Sequence, residues 1–214
     1  MNPGPRIDWY FDFISPFAWL QAEDFARRPE LDIACKPVLF AALLEHWGQL
    51  GPAEIPPKRT FTYRYTVWRG RQLGLPVRLP RAHPFNPLPL LRLALVAQAR
   101  FDVVLRLFRF VWSEGSLPDD EPAWRALLAE LGMPEVDRRL QDEEVKLALR
   151  RNGDEAIARG VFGVPTVVVD GELFWGVDAT DMMLDYLAKD LVFDSDEMRR
   201  AAVLPVGKAR RQSN

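Results

Sequence analysis

Ser15 heads an expected helix directly after the strand-like run 7–13, and Pro16, Phe17 and Ala18 follow it. Serine is favoured as a helix N-cap and proline at the first helical position, so this hydroxyl stands at the positive end of the helix dipole. A donor in that place can bind and ionise a thiol brought in from outside. A thiol of pKa near 8.5 is only about 3% thiolate at pH 7. Lowering that value by about two units makes it roughly three-quarters thiolate and needs only about 2.7 kcal/mol of preferential stabilisation. One hydroxyl donor and a helix N-terminus can supply that much. Taken alone, Ser15 also reads as a helix cap and nothing more. The second half of a site comes from the other end of the chain. Val164, Pro165 and Thr166 lead into 167–176, which reads as a strand, a tight Asp170-Gly171 turn and a second strand. Pro165 cannot donate to a sheet ladder, so groups beside Val164 are left unpaired and can take an extended peptide by strand addition. The plainer alternative is an ordinary edge-strand proline.

Two groups of elements must position these residues. The aromatic-rich run 7–13 suits a central buried strand. The helix after Ser15 carries Trp19, Leu20 and Phe25 until Pro29, and a second strand follows near 31–38. That is a βαβ unit. From Val161 a ββα unit closes the pattern, with a helix expected over 178–189. Between them the spacing predicts a Gly/Pro-rich loop over 48–57, a helix over 58–73 and an extended connector over 76–89. Further helices are expected near 90–99, 102–113, 122–131, 135–140 and 143–159. Leu, Val and Phe on most faces of 90–99 and 102–113 mark buried helices. Asn152-Gly153 is expected to weaken or kink the last of the set. The fold class is therefore α/β, with 1–42 and 160–193 as one discontinuous domain and 43–159 as a helical insertion domain. Residues 194–214 lack a packing pattern and are expected to form a mobile C-terminal tail.

At 214 residues and 48% hydrophobic, the chain can bury a substantial core. A net charge of −2 argues against a nucleic-acid partner. The single cysteine, Cys35, excludes an internal disulfide and a cysteine-based metal cluster. On a strand face shared with Leu31 and Ile33 it reads as a buried structural thiol. His46 and His83 are too far apart to suggest a zinc pair, and no metal is expected. The N-terminus shows no basic-then-apolar leader. The uncharged stretch 93–99 is far below the ~20 residues of a membrane span. A cytoplasmic protein with no membrane partner is the expectation. Nine Lys/Arg and no acid fall between residues 58 and 101. Any part of this stretch that faces the Ser15 turn attracts anionic ligands; for most of it, a solvated face balanced by the acidic helices after Glu114 is the plainer reading. Trp47, Phe61, Tyr63, Tyr65 and Trp68 are expected mainly in the core, with one or two lining a pocket.

The layout, with serine at the helix start, resembles the 2-hydroxychromene-2-carboxylate isomerases and the kappa-class glutathione transferases of the DsbA-like branch of the thioredoxin superfamily. The resemblance rests on Asp12-Phe13-Ile14-Ser15-Pro16-Phe17, Gly160-Val161-Phe162-Gly163-Val164-Pro165-Thr166 and Phe174-Trp175-Gly176-Val177-Asp178. Thioredoxin-like redox proteins carry Cys-x-x-Cys at the first of these turns. A hydroxyl and a methyl stand there in this chain, which makes dithiol chemistry impossible at that turn. The resemblance implies a thioredoxin-like βαβ…ββα domain with a helical insertion, in the DsbA/kappa-class architecture. It also implies a cis Val164–Pro165 bond, glutathione as cofactor and a homodimer.

Residue by residue, it implies Ser15 as the catalytic group on the glutathione sulfur, with Phe17 and Gln49 among the glutathione-binding positions. The backbone of Val164, ahead of Pro165, would pair with the cysteinyl part, Asp178 would hold the γ-glutamyl end, and Lys58 would lie near the glycine carboxylate. Asp178 also suits the N-cap of the last helix. Gln49 stands where many relatives have Asn, and Ala179 where many have Arg, which removes a cation from the site. The implied activity is glutathione-dependent cis–trans isomerisation of 2-hydroxychromene-2-carboxylate, or a related aromatic-derived unsaturated keto acid, by reversible thiolate addition. That reaction belongs to aromatic compound catabolism. Two alternatives stay open: a kappa-like transferase that conjugates small electrophiles, and a non-catalytic thioredoxin-like binding module.

Overall fold

The structure is a computed structural model that describes residues 6–208. Strand β1 (Arg6–Phe11), helix α1 (Pro16–Phe25) and strand β2 (Asp32–Pro37) form the first unit, and β3 (Thr166–Val169) and β4 (Glu172–Trp175) form the late hairpin. Asp170 (φ 51) and Gly171 (φ 91) make the left-handed two-residue turn that a tight hairpin needs. The four strands make one sheet in the order β2-β1-β3-β4, with β1 parallel to β2 and antiparallel to β3. Tyr10 pairs with Thr166 and Asp8 with Val168. The C-terminal end of β1 therefore lies beside the first residue of β3. Segments 12–15 and 163–165 meet at that end of the sheet.

Alternation along β1 builds a core on both faces. Ile7, Trp9, Tyr10 and Phe11 are all fully buried. Trp9 and Phe11 stack at 4.3 Å and meet Phe25 of α1 and Phe108 of the later helix α5 (Phe101–Trp112). Tyr10 points to the other face, among Val38, Leu43, Ala156, Val161 and Val168. Each large side chain buried this way contributes about 1.5–3 kcal/mol. Leu43 and Ala156 belong to the segment that sequence assigns to a separate insertion domain, yet they share this core. The described residues up to Thr180 accordingly form one compact unit, and those from Asp181 form a second.

The helices between β2 and β3 are α2 (Phe40–Trp47), α3 (Pro56–Gln72), α4 (Leu88–Val96), α5, α6 (Glu121–Glu130), α7 (Asp137–Leu140) and α8 (Glu143–Ala158). Helix α2 has no side-chain cap of its own. Its leading N–H, on Phe40, donates 2.9 Å to the carboxylate of Asp12, a cap supplied from a distant strand end. Helix α8 runs unbroken through Asn152-Gly153, against expectation. The Asn152 amide donates 3.0 Å to the Pro37 carbonyl at the end of β2, and Glu155 accepts from Tyr10 and Lys36, so tertiary bonds override the weak local propensity.

The aromatic residues of α3 are a correction. Only Thr62, Thr66 and Gly70 of this helix are buried, whereas Phe61 is 66% and Trp68 54% exposed. Tyr63 and Tyr65 are half-buried, and Trp47 is exposed with its indole N–H on the Val161 carbonyl. Small residues one turn apart allow a close approach: a β-carbon on Gly70 would lie 2.2 Å from Val77 Cγ2. Cys35 is buried, and burial pushes its thiol up to about 12, in line with an inert structural role.

In the second unit, helix α9, which spans Thr180–Leu187, continues to a short turn at Leu191–Asp194, where Phe193 meets Tyr186 edge-on at 5.1 Å. Where sequence expects a structureless tail, helix α10 (Asp196–Ala201) forms, capped by Ser15's counterpart in role, Ser195, on the Met198 N–H. The remaining tail residues, 209–214, lie outside the described residues. Among the described residues no helix is long and apolar enough to cross a membrane.

Candidate functional site

The turn between β1 and α1 is held by a set of hydrogen bonds from three parts of the chain. Ser15 is the N-cap of α1 at φ −90 and ψ 113, 7% exposed, and its Oγ accepts the Ala18 N–H at 3.2 Å. Asp12, three residues earlier, is buried, and its two carboxylate oxygens accept the N–H groups of Ile14 (3.1 Å) and Phe40 (2.9 Å). Burial pushes this carboxyl up to about 7, against the downward pull of those donors and of Phe13. The Asp12 carbonyl takes the Ser15 N–H at 3.0 Å. The Phe13 carbonyl accepts from the Trp112 indole at 2.9 Å, and the Ile14 carbonyl lies 2.8 Å from His83 Nε2.

The Val164–Pro165 peptide is cis, as expected from sequence. Ser15 Oγ points its hydroxyl at the Val164 carbonyl across 3.4 Å, a long bond between residues 149 apart in the chain. Among the described residues the Val164 N–H has no partner, and its carbonyl has only that long bond. Thr166 Oγ1 holds the Gly163 carbonyl at 2.7 Å. Gly163 itself is needed for room, since a β-carbon would sit 2.5 Å from the Trp175 indole nitrogen. The Pro165 carbonyl accepts the Gly176 N–H at 2.9 Å, so the residues after β4 start beside the cis peptide. Gly176 has φ 93, and a β-carbon there would meet the Asp178 carboxylate at 2.5 Å.

Asp178 is exposed and lies inside the turn Val177–Ala179, not at the cap of α9, and among the described residues no hydrogen bond ties its carboxylate. Buried Gln21 of α1 joins this turn to the sheet: it donates to the Gly176 carbonyl and to Thr180 Oγ1, and accepts from the Trp9 indole. Phe17 is half-buried with its ring 5.8 Å from Tyr65 of α3. Gln49 and Lys58 are both exposed; among the described residues no hydrogen bond or ion pair links either to Ser15, Val164 or Asp178. Within the basic stretch, Arg81 pairs with Asp119 and Arg100 with Asp102, while Lys58, Arg59, Arg64, Arg69 and Arg71 of α3 are exposed.

The structure thus joins Ser15, Val164 and Pro165 directly and sets Asp178 beside them through Gly176. Sequence reasoning misses four residues that hold the site: Asp12, Gln21, His83 and Trp112. Asp12 and His83 carried a signal as a buried-side acid before Ser15 and as one of two histidines, but their partners are distant in sequence. Chemically, the site offers a hydroxyl whose proton has only a long acceptor, a helix N-terminus, and, among the described residues, an unpaired N–H on Val164 just ahead of β3. Those features suit a ligand that is at once a thiol and an extended peptide.

Three likenesses to known proteins agree with this arrangement. The chain is 27% identical over 206 residues to glutathione S-transferase kappa 2 of Caenorhabditis elegans, covering 86% of this chain and 92% of that one. It is 27% identical over 190 residues to 2-hydroxychromene-2-carboxylate isomerase of Sphingobium xenophagum, covering 85% and 97%. A solved structure of 2-hydroxychromene-2-carboxylate isomerase superimposes with a TM-score of 0.78 at 24% identity, over 94% of this chain and 100% of that one, which shows a shared fold. Residues 6–188 match the DSBA-like thioredoxin domain. With the strand order, the cis proline and the helix-start turn already in place, this match makes the chain a member of the DSBA-like thioredoxin domain family.

Proposed function

We propose that the protein is a glutathione-dependent cis–trans isomerase of 2-hydroxychromene-2-carboxylate or a related aromatic-derived unsaturated keto acid. The observation that carries the reading is the 3.4 Å approach of the Ser15 hydroxyl to the Val164 carbonyl, beside an unpaired Val164 N–H. The residues fit glutathione: a hydroxyl held so loosely can turn its proton to a sulfur, and Val164 can pair with an extended tripeptide. Ser15 then donates to the sulfur while α1 adds the positive end of its dipole. Asp178 faces the γ-glutamyl ammonium, and Lys58 draws in the glycine carboxylate from the exposed cationic start of α3, with Phe17 and Gln49 flanking the cofactor. Glutathione, when bound, would supply a thiolate; once the hemiketal ring opens by breaking its C–O bond, the thiolate would add reversibly to the resulting enone, making its double bond single so that it can turn before the thiolate leaves. The exposed cations of α3 favour the approach of acidic ligands.

A second reading, a kappa-like transferase, is favoured by the transferase relative that matches at the same 27% identity over a comparable share of the chain. A cytoplasmic location, a place in aromatic compound catabolism and a homodimer formed on the exposed face of α3 belong to the same proposal. Calorimetric titration with glutathione, followed by an ultraviolet assay of 2-hydroxychromene-2-carboxylate with total thiol counted, tests the reading. Binding with turnover at constant thiol is expected. Thiol lost one-for-one with turnover makes the protein a transferase, and no heat at millimolar glutathione ends the cofactor assignment.

A further inference from the structure

His83 lies in the connector between α3 and α4, and its imidazole bridges the turn before Ser15 and helix α3. Nε2 is 2.8 Å from the Ile14 carbonyl, and Nδ1 is 2.8 Å from the Tyr63 hydroxyl of α3. A carbonyl can only accept, so Nε2 carries the proton. Nδ1 of the neutral ring then has a lone pair to offer, and Tyr63 O–H donates to it. The second contact of that hydroxyl, to the His83 carbonyl, is longer at 3.2 Å. Burial and the nearby Arg59 both favour the neutral ring. The ring is boxed by Trp112 (5.5 Å), Phe85 (5.9 Å) and Tyr63 (5.4 Å), which leaves it little freedom to turn.

The Ile14 carbonyl is one end of the peptide plane whose other end is the Ser15 N–H. That N–H is held by the Asp12 carbonyl at 3.0 Å, so the plane is pinned on both sides only while His83 donates to it. Trp112 pins the preceding carbonyl, Phe13, in the same manner. We infer that His83 is a positioning residue: by holding the Ile14–Ser15 peptide plane it sets the direction of the Ser15 hydroxyl, and Tyr63 fixes the ring tautomer that does so. Hydrogen bonds weaken steeply with angle, so a tilt of this plane weakens the donation from Ser15 to a sulfur. Among the described residues, neither the Val164 N–H nor the Asp178 carboxylate is bonded to that plane. Loss of the clamp therefore raises the pKa of the bound thiol and leaves the grip on the peptide part of the ligand alone.

This inference rests on the glutathione reading for its consequence, and on the free protein for its geometry, which separates the two tests. S-methylglutathione has the peptide but no ionisable thiol, and ultraviolet thiolate absorbance against pH reports the thiol of bound glutathione. His83→Leu is expected to raise that thiol pKa by roughly one unit and to lower kcat about tenfold, with S-methylglutathione affinity unchanged within about twofold. His83→Gln, whose amide nitrogen reaches the Nε2 position, should restore most of both, and Tyr63→Phe should fall between. An unchanged thiol pKa in His83→Leu, equal behaviour of the Gln and Leu variants, or loss of S-methylglutathione binding would each overturn the inference. If the wild type binds neither ligand, the glutathione reading fails and nitrogen-15 NMR of the free protein decides the inference by itself. It should show a neutral His83 protonated on Nε2, and a Ser15 amide signal displaced in His83→Leu but not in His83→Gln. A ring protonated on Nδ1, or a Ser15 signal indifferent to both substitutions, would refute it.

Discussion

At the scale of the residue, two groups in one turn carry opposite electrostatic demands. Ser15 must stay neutral and donate, and its replacement by alanine removes both the donor and a helix cap. A hydrogen bond to a charged partner contributes about 1.5–3 kcal/mol, so Ser15→Ala should lower turnover by about one to two orders of magnitude. Circular dichroism should be unchanged while the thiolate absorbance of bound glutathione falls; full activity in this variant would take Ser15 out of the mechanism. Asp12 behaves differently. Burial lifts its carboxyl from 3.8 to about 7, so the folded protein binds that proton more tightly than the unfolded chain does. The stability this group contributes is therefore fully present below about pH 4 and is lost as the pH rises through about 7. The difference in urea midpoint between the wild type and Asp12→Asn should shift against the wild type across that window. A difference flat in pH would mean that the backbone donors fully offset the burial.

At the scale of the element, helices here are started and spaced by residues outside themselves. Helix α2 takes its cap from Asp12, and the weak point expected in α8 is braced by Asn152 on the Pro37 carbonyl. Helix α3 depends on how closely it can be approached. A methyl on Gly70 would lie 2.2 Å from Val77 Cγ2, a contact that the chain must move to relieve. Gly70→Ala improves helix propensity yet should destabilise the protein by about 1–3 kcal/mol through overpacking. Adding Val77→Ala should restore much of that loss, giving a coupling well above the additive sum. Denaturant midpoints of the two single variants and the double measure it; strict additivity would show that α3 and the following connector are not in tight contact.

At the scale of the whole molecule, the segment between β2 and β3 is what holds the site. Trp112 and His83 each reach a carbonyl of the Ser15 turn, and Asp12 returns the link to α2. The outward face of α3 is left with Phe61, Val67 and Trp68 exposed, large apolar groups of the kind that mark an association surface. The proposed homodimer makes use of it. Sedimentation equilibrium should find a dimer at micromolar concentration, and Phe61→Glu with Trp68→Glu should give a monomer of unchanged far-ultraviolet circular dichroism. A wild type that sediments as a monomer would discard the dimer.

Much of this protein could be read from local patterns. The Ser15-Pro16 helix start, the aromatic-rich run of β1, the Asp170-Gly171 turn and the proline ahead of β3 are each decided by a few neighbouring residues, and all four stand in the structure. Legibility failed where the deciding partner is remote. The aromatics of α3 looked like core residues, but Thr62, Thr66 and Gly70 are small enough to bring the helix in on their side and turn Phe61 and Trp68 outward. The roles of Asp12, Gln21 and His83 were not legible, because each makes its deciding hydrogen bond to a segment distant in the chain. Sequence by itself determined the Asp170-Gly171 turn, the Ser15 cap and the two halves of a site. Only tertiary structure decided that the halves meet, because antiparallel pairing of β1 with β3 sets Tyr10 opposite Thr166 and so carries Ser15 to Val164 across 149 residues of chain.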